Sequence, residues 1–210
     1  MWELQLKLYL KNIIKQIQES IDKELPKEIT MVDDGLMQRG IADIIEVKVS
    51  NIILKLKHQS IKESYEAKSK RSIEDVGLVT NDYDDVKIDI KTHDSESELS
   101  MPNLISISRL KKFYENDRNL LLYVFVKYIN YGHSIQILHA QVKSVEQLNW
   151  DCLTIGNLGK GQLQVRNMDE ISFQNHMTRS DWMERLSYDV VLYYQSLVNK
   201  IQTKWMKEWM

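Results

Sequence analysis

The segment Glu74-Asp75-Val-Gly-Leu-Val-Thr-Asn-Asp-Tyr-Asp-Asp-Val86-Lys87-Ile88-Asp89-Ile90-Lys91 holds the grouping with the clearest chemistry. Alternate side chains of a strand share a face. Val86, Ile88 and Ile90 then turn to a core, and Lys87, Asp89 and Lys91 share the opposite face. Val76–Thr80 reads as a partner strand, with Asn81–Asp84 as the turn. That turn sets Thr80 opposite Asp85 and brings Asp75 near Ile90, beside Asp89 and Lys91. In another register Asp82, Asp84 or Asp85 takes the place of Asp75. Paired carboxylates bind a hard divalent cation, and Mg²⁺ held this way keeps waters and accepts a phosphate oxygen. Such an ion acidifies water and neutralises charge developing on phosphorus. A neighbouring lysine can orient the attacking water and stabilise the transition state. An Asp-x-Lys on a strand is equally the pattern of a solvated ion pair, so its context decides.

The surrounding elements follow from hydrophobic periodicity. A helix runs to about Leu25, with Leu6, Leu10, Ile13, Ile14, Ile17 and Ile21 on one face, and ends at Pro26. A second begins after Gly40 and continues to about residue 58 through Ile41, Ile44, Ile45, Val49, Ile52, Ile53 and Leu56. Residues 59–72 are polar and read as a loop, as does Thr92–Met101 before Pro102. Ile105 to Tyr114 reads as a helix. The apolar run from Leu120 to Ile129 fits a strand buried on both faces. Ser134–Val142, Cys152–Ile155 and Gln162–Val165 are further strands. A helix closes the chain from Ser180 to about Trp209, with Trp182, Leu186, Val190, Tyr194, Leu197, Ile201 and Trp205 on its apolar face. This order predicts one α/β domain over residues 1–210, a mixed central β-sheet flanked by helices.

Several blocks in series resemble one family. Asp75…Asp89-x-Lys91 resembles the Pro-Asp…(Asp/Glu)-x-Lys nuclease signature, with Glu74 where proline is usual. Gly40-Ile-Ala-Asp43-Ile-Ile-Glu46 resembles the Gly…Glu helix ahead of the catalytic hairpin in type II restriction endonucleases. Asp89-Ile-Lys91-Thr92 leading to Pro102-Asn103-Leu-Ile-Ser106 is similar to a stretch of that family's blunt-cutting branch. Gln162-Leu-Gln164-Val165 and Thr178-Arg179-Ser-Asp-Trp182 are similar to its Gln-x-Gln strand and Thr-Arg helix start. The similarity spans about residues 40–190 in order. It implies a restriction-endonuclease-like fold in which Asp75 and Asp89 bind Mg²⁺, Lys91 positions the attacking water, and Glu46 is an accessory carboxylate.

Charge placement fits such a partner better than the net charge of −2 suggests. Residues 48–71 carry seven lysines and arginines against two glutamates, and residues 72–101 carry nine acids against two lysines. Basic side chains can neutralise phosphates and an acidic cluster can hold cations. The glycine-containing segment Gly156–Gly161 lacks the spacing of a nucleotide-binding loop and has no Ser or Thr after Lys160. It reads as a glycine turn or a close approach to DNA. Lys160, Gln162, Gln164, Arg166, Asn103 and Arg179 are the candidate DNA contacts.

Other chemistries find little support. Five histidines show no zinc spacing, although His93 would share a face with Lys91. Lone Cys152 excludes a disulfide framework and suits a reducing cytoplasm. No apolar run is long enough to cross a membrane, and the N-terminus has no signal-peptide core.

The resemblance implies a type II restriction endonuclease. It would hydrolyse both strands of DNA to 5′-phosphates and 3′-hydroxyls, and a separately encoded methyltransferase would protect host DNA. One active site per chain and two strands per duplex imply a homodimer on a palindromic site, joined through the first or last helix. The alternatives are a junction-resolving or repair nuclease of the same fold, and a non-catalytic DNA-binding module.

Overall fold

The computed structural model describes residues 2–30, 40–69, 72–97, 101–156 and 161–209. Helix α1, Trp2–Glu24, buries Ile13, Ile17 and Ile21 at four-residue spacing. Pro26 disfavours helical geometry at the residue before it, which fixes the end of α1. Strand β1, Glu28–Thr30, follows. Helix α2, Ile41–Leu54, buries Ile44, Ile45, Val49, Ile52 and Ile53, and stops short of the expected residue 58.

The expected loop after α2 contains a strand, β2, Ile61–Glu66. Its sequence carries no apolar alternation because it is a sheet edge, with no fully buried position. Backbone pairing to β3, Val76–Thr80, holds it, and charged side chains suit an edge facing water. Strand β4 runs Asp85–Asp94, three residues beyond Lys91. Strand β5, Asn103–Ser106, occupies what reads as helix start in the sequence, and α3 is shortened to Ile107–Phe113. Strands β6, Asn119–Asn130, β7, Ser134–Ser144, β8, Leu153–Gly156, and β9, Gln162–Val165, all match the expected segments. Helix α4, Arg179–Trp209, ends the chain.

A six-stranded sheet has the order β1-β7-β6-β4-β3-β2, and a three-stranded sheet the order β5-β9-β8. Among the described residues only the β4–β6 pair is parallel; the other paired strands run antiparallel. The fold is therefore the expected mixed sheet flanked by helices. Strand β6 joins its two cores. Leu120, Leu122, Val124 and Val126 pack with α1 and α2 on one face. Leu121, Tyr123 and Phe125 pack with α3, the small sheet and the start of α4 on the other. Each such fully buried side chain contributes about 1.5–3 kcal/mol, so the strand ties both layers to β4, its parallel neighbour.

The closing helix departs from its expected single apolar face. Trp182 and Leu186 are buried and Val190 is partly so, but Tyr194 and Ile201 are 41% and 57% exposed. The first turns of α4 are buried on the domain, and farther along Tyr194 brings its hydroxyl close to Gly161.

Candidate active site

The hairpin pairs Val76 with Ile88, Gly77 with Lys87 and Leu78 with Val86. This is one residue away from the expected register, and the turn explains why. The Thr80 hydroxyl accepts from the N–H groups of Tyr83 (2.9 Å) and Asp82 (3.2 Å), and Tyr83 is buried. The turn therefore closes on Tyr83 rather than Asp84. Asp75 moves level with Asp89, and its backbone N–H donates to the Ile88 carbonyl at 2.9 Å. Its carboxylate accepts from the Ile90 N–H at 2.7 Å.

That register separates the competing acids. Asp84 sits at the far end of β4, bonded to Arg118 Nε at 2.8 Å. Asp85 accepts from the Tyr65 hydroxyl. Glu74 is buried and pairs with Lys87 Nζ at 2.7 Å. Lys87 is thus held away from Asp89, although both occupy one strand face. Asp75 is the carboxylate that reaches Asp89.

Asp89 is 8% exposed and meets Lys91 Nζ at 2.7 Å. Burial pushes its carboxyl up to about 7, against the pull of Lys91, and the charges of Asp75 and Glu46 add to the rise. Burial raises Asp75 as well, opposed by the Ile90 N–H and by Lys91. One ammonium thus serves two crowded carboxylates. Glu46 reaches the same cleft from α2.

A hard divalent cation fits this donor set. The two carboxylates supply oxygen ligands, and a second positive charge would relieve their mutual repulsion. Among the described residues no group of three or more His, Cys, Asp or Glu side chains gathers to enclose an ion. The ion that suits two carboxylates is one that keeps much of its water, as Mg²⁺ does.

The cleft measures about 640 Å³. Glu46, Asp75, Asp89 and Lys91 line it, together with Asn103, Ser106, Arg109 and Gln162. Gly161, just before Gln162, has φ +86°, and a Cβ there would fall 2.9 Å from Ile107 Cδ1. Its carbonyl accepts from the Ile107 N–H at 3.2 Å. Glycine at this position lets β9 approach α3 closely and places Gln162 at the cleft. Gly156 and Gly161 flank the connection between antiparallel β8 and β9.

The remaining expected DNA contacts divide. Asn103 and Gln162 line the cleft, and Gln164 Nε2 donates to Asn103 Oδ1 at 2.5 Å. Lys160 lies outside the described residues, as do Lys70, Arg71 and Glu98. Arg166 Nε donates to the Leu153 carbonyl at 2.7 Å, across the β8–β9 pair. Arg179 is committed inside the fold. It donates to Glu146 at 2.6 Å and to the Asp117 carbonyl at 3.0 Å, and stacks 4.1 Å over Tyr114. It clamps the start of α4, with its guanidinium held by partners inside the fold. His93 does not line the cleft. The turn Met168–Glu170 covers it, and Asp169 bonds both His93 Nε2 (3.1 Å) and Lys127 Nζ (2.5 Å).

Arg109 was not among the expected site residues, although it lies three positions beyond the Pro102–Ser106 stretch. No helix among the described residues is long and apolar enough to cross a membrane.

No family model matches the chain, and no curated protein matches it. Among solved structures, the NlaIV restriction endonuclease is similar over 73% of this chain and 67% of its own, at 12% identity and a TM-score of 0.48.

Proposed function

We propose that the chain is a Mg²⁺-dependent endonuclease that cuts double-stranded DNA at specific sites, in the manner of type II restriction enzymes. The observation that carries this reading is the meeting of Asp75, Asp89 and Lys91 in a cleft that the amides of Asn103 and Gln162 also line. Asp75 and Asp89 would hold the cation, with Glu46 as the nearby accessory acid. Bound there, the cation supplies charge neutralisation at phosphorus and acidifies water. Lys91 Nζ donates to the attacking water and holds it in line with the phosphodiester. The same ammonium stabilises charge on the non-bridging oxygens as the bond to the 3′ oxygen breaks. A 5′-phosphate and a 3′-hydroxyl remain. Asn103 and Gln162 carry amides that can bond base edges.

Two strands require two such sites, and a pair of chains on a palindrome, with a separate methyltransferase guarding host DNA, is the simplest arrangement. Helix α4 is the surface that suits a second copy. Val191, Tyr194, Val198 and Ile201 follow the three-four spacing of a helix-pairing seam and are 41–57% exposed. Tyr188 and Leu192 are exposed beside them, and a run of exposed apolar side chains of this kind marks an interaction surface.

Incubation of long unmethylated DNA with Mg²⁺ tests the reading. Discrete fragments support it, and DNA left intact across several salt concentrations overturns it. A repair or junction-resolving nuclease would instead cut branched substrates and leave plain duplex whole.

A further inference from the structure

We infer that Tyr123 is a positioning residue for the cation site, its hydroxyl donating a hydrogen bond to the Asp89 carboxylate when that carboxylate holds a divalent ion. This rests on the nuclease reading and adds to it a group on β6, outside the Asp75–Lys91 hairpin.

Tyr123 is the register partner of Asp89 in the parallel β4–β6 pair. Paired residues of neighbouring strands put their side chains on one face of the sheet. That face carries Lys87, Asp89 and Lys91 on β4 and Leu121, Tyr123 and Phe125 on β6. Tyr123 is fully buried, and its ring stacks on Phe125 with centroids 5.7 Å apart. Among the described residues its hydroxyl has no hydrogen-bond partner. A buried hydroxyl left in that condition costs about 1–3 kcal/mol. Phenylalanine would fill the same space without the cost. A polar atom kept there points to a partner supplied in another state of the site.

Asp89 is the acceptor that fits. Burial and the charge of Asp89, followed by Tyr114 and Glu146, hold the phenol well above its ordinary range, so it keeps its proton and stays a donor. Glu146 is already held by Arg179 Nε at 2.6 Å. Asp89 has Lys91 Nζ at 2.7 Å, and in the nuclease reading that ammonium turns to the attacking water. An ionised carboxylate that gives one oxygen to a cation needs a donor for the other, and Tyr123 stands one strand away on the same face. Donors of this kind fix the orientation of a ligating carboxylate, and losing one costs about tenfold or more in metal affinity.

The experiment titrates Mn²⁺ alone, which takes the same oxygen ligands as Mg²⁺, into wild type, Tyr123→Phe, Asp89→Asn and Tyr131→Phe. Electron paramagnetic resonance reads the free ion, and melting temperatures are taken without metal. Asp89→Asn removes a ligand and so marks the binding that belongs to this site. Tyr131 is exposed between β6 and β7 and controls for loss of a phenol hydroxyl. Tyr123→Phe is expected to weaken Mn²⁺ binding about tenfold. Without metal it should melt no lower than wild type, because the hydroxyl it loses has no partner there. Tyr131→Phe should leave Mn²⁺ affinity unchanged. A hydroxyl that serves Glu146 through a buried water gives the reverse pattern, a lower metal-free melting temperature with unchanged Mn²⁺ affinity. That pattern, or a folded Tyr123→Phe that binds Mn²⁺ as wild type does, overturns the inference and leaves the nuclease reading standing. If wild type binds no Mn²⁺, or Asp89→Asn binds it as tightly as wild type, the carboxylate site falls and the inference with it.

Discussion

Replacing Asp89 with Asn should make the metal-free protein more stable while disabling its site. The carboxyl is buried, and its upward shift from 3.8 to about 7 means that the fold disfavours the charged form. About three units correspond to about 4 kcal/mol, since each unit is worth 1.36 kcal/mol. Water entry around an ionised side chain relieves part of that, which leaves about 2–4 kcal/mol. The sign follows from proton binding. The folded state keeps the Asp89 proton up to about pH 7, whereas the unfolded chain releases it near pH 4. Wild-type stability therefore falls as pH rises from about 4 through about 7, and the cost is constant above that. Asn carries no such cost. At pH 8 in EDTA, Asp89→Asn should melt at least about 4 °C higher than wild type, because 1 kcal/mol moves a domain of this size by about 2–4 °C. Near pH 4 the two should coincide. Mg²⁺ should raise wild type and leave the variant nearly unmoved, since the second ligand is gone. Scanning calorimetry across pH measures all of this. A variant that melts at or below wild type at pH 8 would refute the claim that burial strains this carboxylate.

Other outcomes follow from the same geometry. Arg179→Ala should cost about 3–5 kcal/mol in urea melts, because it leaves buried Glu146 without its partner. Its folded fraction should bind DNA with nearly wild-type affinity, the opposite of what a DNA-contacting arginine would give. Gly161→Ala should cost about 1–3 kcal/mol through the left-handed backbone and the Ile107 contact, and should slow any cleavage by moving Gln162. Val198→Glu should convert a dimer to monomer in sedimentation equilibrium with an unchanged circular dichroism spectrum; a wild type that sediments as a monomer removes α4 as an interface.

Much of the fold was legible because its strongest signals are periodic. The doubly buried β6, the helix ended by Pro26 and the alternation in β4 needed nothing beyond side-chain spacing. Strand β2 escaped because an edge strand is held by backbone pairing, which leaves no mark on its side-chain pattern. Strand β5 escaped because Ile105 and Leu110 fit a helix face as well as a strand followed by a short helix. The meeting of Asp75 with Asp89 was foreseen one residue out of register. Burial of Tyr83 sets the turn, and burial is a tertiary fact. The internal partners of Arg179 were illegible for a similar reason. Its partners Glu146, Asp117 and Tyr114 lie 33 to 65 positions away in the chain, so only the folded structure brings them to it.

The most direct test of the central claim compares wild type with Lys91→Ala on long unmethylated DNA. Both are incubated with Mg²⁺, and wild type also with EDTA. Lys91 lies at the cleft surface of β4, and Ala keeps the strand paired. The account predicts discrete fragments with ligatable 5′-phosphate ends from wild type in Mg²⁺. It predicts uncut DNA in EDTA, and uncut DNA from a folded Lys91→Ala that still binds duplex. Cleavage by Lys91→Ala at the wild-type rate, or intact DNA from folded wild type in Mg²⁺, would contradict it.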